Sequence, residues 1–262
     1  MDLSMPPRRP EGHGLLADKV VVVTAAAGAG IGGATARRCL DEGARVVVSD
    51  AHERRLKAVV AEIGERYGDD MVAGAPCDVT DDGQVRALYE LAADRFGRVD
   101  VAVNNAGLGG TADLVDMTDE EWSKVLDVTL TGTFRCTRAA LRLMAARRAG
   151  VIVNVSSVLG WRAQRGQAHY AAAKAGVMAL TRCVALEAAA HGVRVNAVAP
   201  SLAMHPHLVK VTDDELLAEL TRREAYGRYA EPWEVANVIV FLASDYSSYL
   251  TGEVVSVSDR HP

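Results

Sequence analysis

The chain has 262 residues and a formal net charge of −5, from 29 Lys and Arg against 34 Asp and Glu, with 49% hydrophobic and 24% charged residues. A chain of this length buries most of its unfolded surface in its own core without a metal or disulfide staple, and its composition excludes disorder as the main state. Mild acidity argues against a nucleic-acid partner, which selects a basic face, and no apolar run approaches the ~20 residues of a membrane span.

Met1 to Gly14 holds three prolines and two arginines but no apolar h-region, and is expected to be a flexible tail rather than a signal peptide. Lys19 to Thr24 (KVVVVT) is the first strand, followed by a Gly/Ala stretch and a helix ending near Glu42-Gly43. Arg45 to Ser49 is the second strand and Glu53 to Tyr67 the second helix. Met71 to Ala75 is a weaker third strand. Asp82 to Phe96 is helical, with Gly97 as its stop. Asp100 to Asn104 is a fourth strand, and Asp119 to Arg148 is helical with an interruption near Gly132. Val151 to Val155, Val193 to Val198 and Glu253 to Val257 are further strands, and Ala168 to Ala190 is a long helix. Pro200 to about Lys210 is irregular, and a short charged helix follows near Asp213 to Arg223.

Near-continuous Val/Ile runs separated by helices are the pattern of a parallel sheet covered on both faces. The expectation is one α/β domain over residues 15–262, a doubly wound parallel sheet of about seven strands. Ligands of such sheets bind beyond the strand C-termini. Cys39, Cys77, Cys136 and Cys183 are scattered without metal-ligand spacing and read as four buried free thiols of a cytoplasmic protein. His205-Pro-His207 has no Cys or carboxylate beside it and reads as loop, so no metal is expected.

The stretch Thr24-Ala-Ala-Ala-Gly28-Ala-Gly30-Ile31-Gly32 joins the first strand to the first helix. Glycines there let the backbone approach a pyrophosphate resting on a helix N-terminus. A plain glycine turn would look similar, and the position after the first strand favours the phosphate cradle. Asp50 ends the second strand 20 residues after Gly30, where a carboxylate accepts from ribose hydroxyls and repels a 2′-phosphate. NAD is therefore favoured over NADP. His52, Arg54 and Arg55 temper that repulsion, although the two arginines read first as exposed helix charges. Tyr170 and Lys174 stand four apart on a predicted helix and share a face. A tyrosine acting as acid or base near neutrality needs its pKa lowered by ~3 units from about 10, and a neighbouring ammonium has the right sign.

Asp78-Val79 follows the third strand, Asn104-Asn105-Ala106-Gly107 the fourth and Ser156-Ser157 the fifth. With the glycine turn and Tyr170/Lys174, these stand in the order and spacing of the short-chain dehydrogenase/reductase family. The sequence resembles that family from about Lys19 to Ser258, and within it the members that include 3-oxoacyl-carrier-protein reductases. The resemblance implies a single-domain Rossmann-type dinucleotide-binding catalytic fold. It makes Tyr170 the general acid/base, Lys174 the residue that lowers its pKa and holds the nicotinamide ribose, and Ser157 the hydrogen-bond partner of the substrate oxygen; Ser156 is structural. The implied NAD cradle comprises Thr24, Gly28, Gly30, Ile31, Asp50, Asp78, Val79, Asn105, Ala106, Gly107, Pro200, Ser201 and Ala203, with Tyr170 and Lys174.

Three departures stand out. The family's first turn glycine is alanine here, at Ala25 or Ala26, and the turn is one residue longer. Thr129 stands where a catalytic asparagine helps hold a proton-relay water, which implies a slowed or rearranged relay. Pro200-Ser201 replaces Pro-Gly, and the threonine that often meets the nicotinamide carboxamide is absent. Leu108, Trp161, Leu202, Met204 and His205 are the candidate substrate lining, an apolar set that suits an alicyclic or acyl ketone, with a ketoacyl or ring-ketone coenzyme A thioester as the specific expectation. Arg162, Arg165, Lys210, Arg222 and Arg223 are candidate contacts for an anionic handle, or solvated charges. The alternatives are an NADPH-dependent 3-oxoacyl reductase and a catalytically weakened nucleotide-binding scaffold. The resemblance also implies a homotetramer built through the two long helices and the last strand, in keeping with the apolar faces of the Ala168 to Ala190 helix. No nucleic-acid or membrane partner is expected.

Overall fold

Valine runs too apolar for either face to meet water build the centre of the molecule. In the computed structural model, which describes residues 2–204, 208–209 and 214–260, seven strands form one parallel sheet: β1 (Val20–Val23), β2 (Arg45–Asp50), β3 (Val72–Pro76), β4 (Val101–Asn104), β5 (Gly150–Val155), β6 (Val193–Pro200) and β7 (Val254–Val257), in the order β3-β2-β1-β4-β5-β6-β7. Alternation splits each strand between two cores: Val21, Val23, Val46 and Val48 face one, Val22 and Val47 the other. The order reverses between β1 and β4, which opens a crevice at the strand C-termini. Pro76 is tolerated at the end of β3 because that strand is an edge.

The first core takes α1 (Ile31–Asp41), α2 (Glu53–Tyr67) and α8 (Pro232–Ala243) through Ala36, Leu40, Leu56, Ile63, Val235 and Ile239. The second takes α3 (Asp82–Phe96), α5 (Gly132–Arg147) and α6 (Ala168–Ala189) through Leu88, Tyr89, Ala140, Met144 and Ala185. The Asp81 side chain caps α3 by accepting from the Gly83 and Gln84 amides, and Gly97 ends it at φ 79°. α4 (Asp119–Leu126) starts with a capping box of Thr118 and Glu121. The interruption expected near Gly132 is a π-helical turn over Asp127–Thr131, directly between α4 and α5. α7 (Asp214–Arg223) matches the short charged helix.

Buried asparagines pin the central strands. Asn104 and Asn154 are paired across β4 and β5, and Asn104 Nδ2 donates to Asn154 Oδ1 at 2.8 Å and to Thr137 Oγ1 at 3.0 Å. Asn154 Nδ2 donates onward to Thr181 Oγ1 on α6 at 2.9 Å. Such a satisfied network holds one register, because a one-residue slip of either strand would turn its amide to the opposite face from its mate.

Three features differ from the sequence expectation. The sequence reading places no element over residues 232–243, where α8 lies; its VIVFLA run has no polar period, and its start is signalled only by Pro232 and the Glu231/Glu234 capping box. Cys183 is exposed, so only Cys39, Cys77 and Cys136 are buried thiols. Residues 9–14, expected as a loose tail, lie against the end of α1. Arg9 pairs with Asp41, the Glu11 carbonyl accepts from Arg38, and Glu42 Oε2 accepts the His13 and Leu15 amides at 2.8 and 2.9 Å. The buried Arg38–Glu42 ion pair beneath them needs those donors to satisfy its carboxylate. Among the described residues no helix is long and apolar enough to cross a membrane, and no three metal-binding side chains cluster.

Candidate active site

The C-terminal ends of β1 and β4 are tied together before any ligand enters. The buried Thr24 hydroxyl accepts the amides of Asn105 and Ala106, both at 3.0 Å. Asn105 Nδ2 donates to the carbonyls of Thr24 and Ala25 at 3.0 and 3.1 Å. Thr24 and Asn105 therefore brace the crevice walls. Ala25 holds φ +52°, the left-handed region in which glycine is unstrained. Ala25 is one of the two positions, with Ala26, where the sequence reading sets alanine for the family's first turn glycine, and here an alanine holds this conformation. The N-terminus of α1, at Gly30 and Ile31, has no side-chain cap and no acidic residue in its first turn, which leaves its first amides able to meet an anion. Gly28 is exposed, and a Cβ there would meet only Gly30 N, at 3.9 Å.

Asp50 stands beside this turn. Its Oδ2 accepts the Ala27 amide at 3.3 Å, and its Oδ1 accepts the His52 amide at 2.9 Å and Arg55 at 3.3 Å. Arg55 is an exposed charge of α2, and its guanidinium also reaches the Asp50 carboxylate. Further along the edge, Asp78 holds the Thr80 amide and hydroxyl, and buried Val79 packs under Gly132. The open helix end, the carboxylate beyond it and the bare glycine surface fit a dinucleotide, whose pyrophosphate would lie on α1 and whose adenosine ribose on Asp50.

Across the crevice, β5 and α6 assemble the hydroxyl pair. Ser157 leaves the end of β5, and its Oγ accepts the Leu159 amide at 3.2 Å. It also lies close enough to the Tyr170 hydroxyl to favour the phenolate. Ser156 points away and donates to the Lys174 carbonyl at 2.9 Å, the structural part expected of it. Lys174 is 3% exposed; its Nζ donates to the Val155 carbonyl at 2.7 Å and lies 5.5 Å from the Tyr170 ring centroid. Burial lowers the Lys174 ammonium to about 8. Burial also pushes the Tyr170 hydroxyl above its ordinary value, and Ser157 opposes that. The Lys174 ammonium sits over the ring face and is bonded to the backbone.

Thr129 sits fully buried in the π-helical turn. Its hydroxyl accepts the Leu108 amide and donates to the Leu108 carbonyl, both at 3.0 Å. A Cβ on Gly107 would lie 3.3 Å from Lys174 Nζ and 3.8 Å from Thr129 Oγ1, so glycine keeps this spot open between them. The hydroxyl's proton and one of its lone pairs are taken by the loop after β4. Thr129 is thus a clamp on that loop.

On the substrate side, Pro200 ends β6 and the Ser201 amide donates to Val257. Leu202, Ala203 and Met204 ladder against Ala230: Ala203 bridges it, its amide donates to Leu202, and its carbonyl accepts from Met204. Trp161 is 44% exposed after the turn that follows Ser157. His205, His207 and Lys210 lie outside the described residues. Arg162 donates to the Arg260 carbonyl and Ser258, Arg165 forks onto Asp113, and Arg223 pairs with Glu219 on its own helix. Sequence reasoning missed the loop from Gly109 to Asp113 and Gln167, which grips it by donating to the Gly110 carbonyl at 2.8 Å. It also missed a Glu224–Asp259 carboxyl pair beside a cavity of about 170 Å³ near Ser201. The doublet Gly109-Gly110 was the one visible signal; pairing between Glu224 and Asp259, 35 positions apart, left none.

Residues 25–259 match the family model described as enoyl-(acyl carrier protein) reductase. The chain is 63% identical, over the whole of both proteins, to (5R,7aS)-5-hydroxy-7a-methyl-1-oxo-2,3,5,6,7,7a-hexahydro-1H-indene-carboxyl-CoA reductase of Mycobacterium tuberculosis. It is 42% identical, over 92% of this chain and 97% of the relative, to a 3-oxoacyl-[acyl-carrier-protein] reductase of Thermotoga maritima. A crystal structure of a short chain dehydrogenase from Mycobacterium smegmatis superposes with a TM-score of 0.88 at 56% identity, covering 99% of this chain and all of that one.

Proposed function

The chain belongs to the short-chain dehydrogenase/reductase family and is an oxidoreductase acting on CH–OH and keto groups; we propose that it interconverts a secondary alcohol and a ketone on an alicyclic coenzyme A thioester, with NAD(H) as its redox partner. The observation that carries this reading is the grouping of the Ser157 and Tyr170 hydroxyls with the buried Lys174 at the strand C-termini, where α1 also begins without a side-chain cap. A bound nicotinamide dinucleotide supplies or accepts the hydride. In reduction, Ser157 and Tyr170 hold the ketone oxygen by hydrogen bonds, and Tyr170 gives its proton to that oxygen as the alcohol forms. In oxidation Tyr170 takes the proton back. Lys174 stabilises the resulting phenolate through its charge, and its donation to the Val155 carbonyl fixes where that charge sits. Thr129 acts by holding the loop after β4 to the π-helical turn between α4 and α5.

The ring and thioester parts of the proposal rest on the fused-ring coenzyme A ester in the name of the 63% identical relative and on the apolar Leu202, Met204 and Trp161. NAD(H) rests on Asp50. One observation favours a second reading with NADPH: Arg55 lies against Asp50 at 3.3 Å and would offer a guanidinium to a 2′-phosphate. Comparing kcat/KM for NADH and NADPH separates the two. Tyr170→Phe tests the chemistry. It should abolish turnover of a bicyclic ketone coenzyme A thioester while NADH binding, followed by fluorescence, stays within about twofold. Full activity of this variant would overturn the assignment, and cofactor binding by the wild type without turnover of any ketone or alcohol would favour the scaffold. We further propose a homotetramer through α5, α6 and β7, supported by exposed Phe134 and Leu186 on those helices and tested by gel filtration with light scattering.

A further inference from the structure

The loop after β4 is docked on the segment before and at the start of α6 almost residue by residue. Leu108 is held by Thr129, the Gly110 carbonyl by Gln167, the Ala112 amide by the Gly166 carbonyl at 3.1 Å, and Asp113 by Arg165. In that register Gly109 falls against the Tyr170 ring. Gly109 is exposed, and its φ lies outside the left-handed region, so the backbone there does not require glycine. A Cβ on Gly109 would meet only Cδ2 and Cε2 of Tyr170, at 3.7 and 3.9 Å, which is ordinary contact. Gly110 is different: a Cβ there would lie 3.2 Å from His169 Nε2, on a side chain buried to 2%. The fold therefore accepts a side chain at 109. What glycine supplies at that position is open surface along the edge of the ring that carries the reacting hydroxyl.

We propose that Gly109 sets the substrate width: the space left by its missing side chain receives the second ring of a fused-ring ketone while Ser157 and Tyr170 hold the ketone oxygen. The inference rests on the reading of the site given above and makes it specific, since an acyclic 3-oxoacyl chain is slim enough to reach the same hydroxyls with that space filled. A side chain at 109 would grow along the Tyr170 ring edge and exclude the wider substrate first.

The test is the series Gly109→Ala and Gly109→Val, with a hydrindane-type bicyclic ketone coenzyme A thioester and acetoacetyl-CoA as substrates. Both variants should keep the wild-type melting temperature within ~2 °C and NADH affinity within about twofold, because nothing behind the loop is disturbed. For the bicyclic ketone, kcat/KM should fall about threefold in the alanine variant and more than tenfold in the valine variant, mostly through KM. For acetoacetyl-CoA it should change by less than twofold in either. Where acetoacetyl-CoA is not turned over at all, the graded rise in KM from alanine to valine at constant NADH affinity carries the test. A wild type that favours the bicyclic ketone, with the valine variant unaffected or equally impaired on both substrates, overturns the role of Gly109 alone. A wild type that favours acetoacetyl-CoA overturns the ring-substrate reading and this inference with it.

Discussion

Replacing Thr129 by valine isolates the clamp on the loop after β4. Valine matches threonine in shape, so the cavity and the π-helical turn around it are unchanged, and only the hydroxyl is lost. That hydroxyl makes two hydrogen bonds at 3.0 Å, one to the amide and one to the carbonyl of Leu108. Leaving a buried backbone group without a partner costs ~1–3 kcal/mol. Leu108 is half-buried, so water recovers part of each loss, and the low end of the range applies twice, for a total of about 2–3 kcal/mol. In a domain of this size that lowers the melting temperature by ~5–10 °C. Thr129→Ser keeps both bonds and loses one buried methyl, worth ~1 kcal/mol. Urea unfolding and calorimetry should rank the wild type first, the serine variant second and the valine variant last. The valine variant should also show a raised KM for the ketone, since the released loop carries Gly109 beside Tyr170, with NADH affinity little changed. A valine variant as stable as the serine variant would refute the clamp.

Ala25→Gly should stabilise the protein, because φ +52° costs an alanine ~1–2 kcal/mol that glycine avoids, against ~0.5–1 kcal/mol of extra chain entropy lost on folding. A net gain of roughly 0.5–1 kcal/mol by calorimetry is expected, and a loss would mean that the Ala25 methyl packs usefully. Glu224 gives a pH signature. Its carboxyl is pushed up from 4.5 to about 7, first by burial and then by its hydrogen bond and charge interaction with Asp259, whose Oδ1 is buried with no other donor among the described residues. The folded chain thus keeps a proton that the unfolded chain releases. The stabilisation is fully present below pH 4.5 and is lost as pH rises through about 7. Glu224→Gln, which donates at every pH, should show a smaller fall in melting temperature than the wild type between pH 5.5 and 8, and parallel curves would rule out the shared proton.

What the sequence made legible was whatever depends on local pattern. Valine runs give strands buried on both faces, and the glycine turn, Asp50, Ser157 and the Tyr170/Lys174 spacing sit at strand ends or within one helix turn, so topology alone brings them to the crevice. α8 escaped because an apolar helix and a buried strand share one composition, and its caps are a proline and two glutamates that read as surface. The tail escaped for a different reason: Glu42 and Asp41 hold it from residues some 30 positions away, and no periodicity records such pairs. The burial that raises the Tyr170 hydroxyl has no sequence signal, because a four-residue spacing gives the sign of a neighbouring charge and not its surroundings. Thr129 was visible as a departure, while its partner, the backbone of Leu108, has no sequence signature.

The amide pair of Asn104 and Asn154 has a further consequence for how such a chain can change over generations. Each amide completes the other's hydrogen bonding, since replacing either one by an apolar residue removes the 2.8 Å bond between them and leaves its mate with its other side-chain partners alone in a dry interior. Drift at these two sites must therefore pass through a poorer protein or move both at once, and a library that varies them singly will find only losses. Because the pair also levels the strands that lead into Gly107 and Ser157, any double replacement that restores stability can be judged by turnover: a shift of half a rung between the walls of the crevice would leave a folded protein with its hydroxyls and its cofactor out of reach of each other.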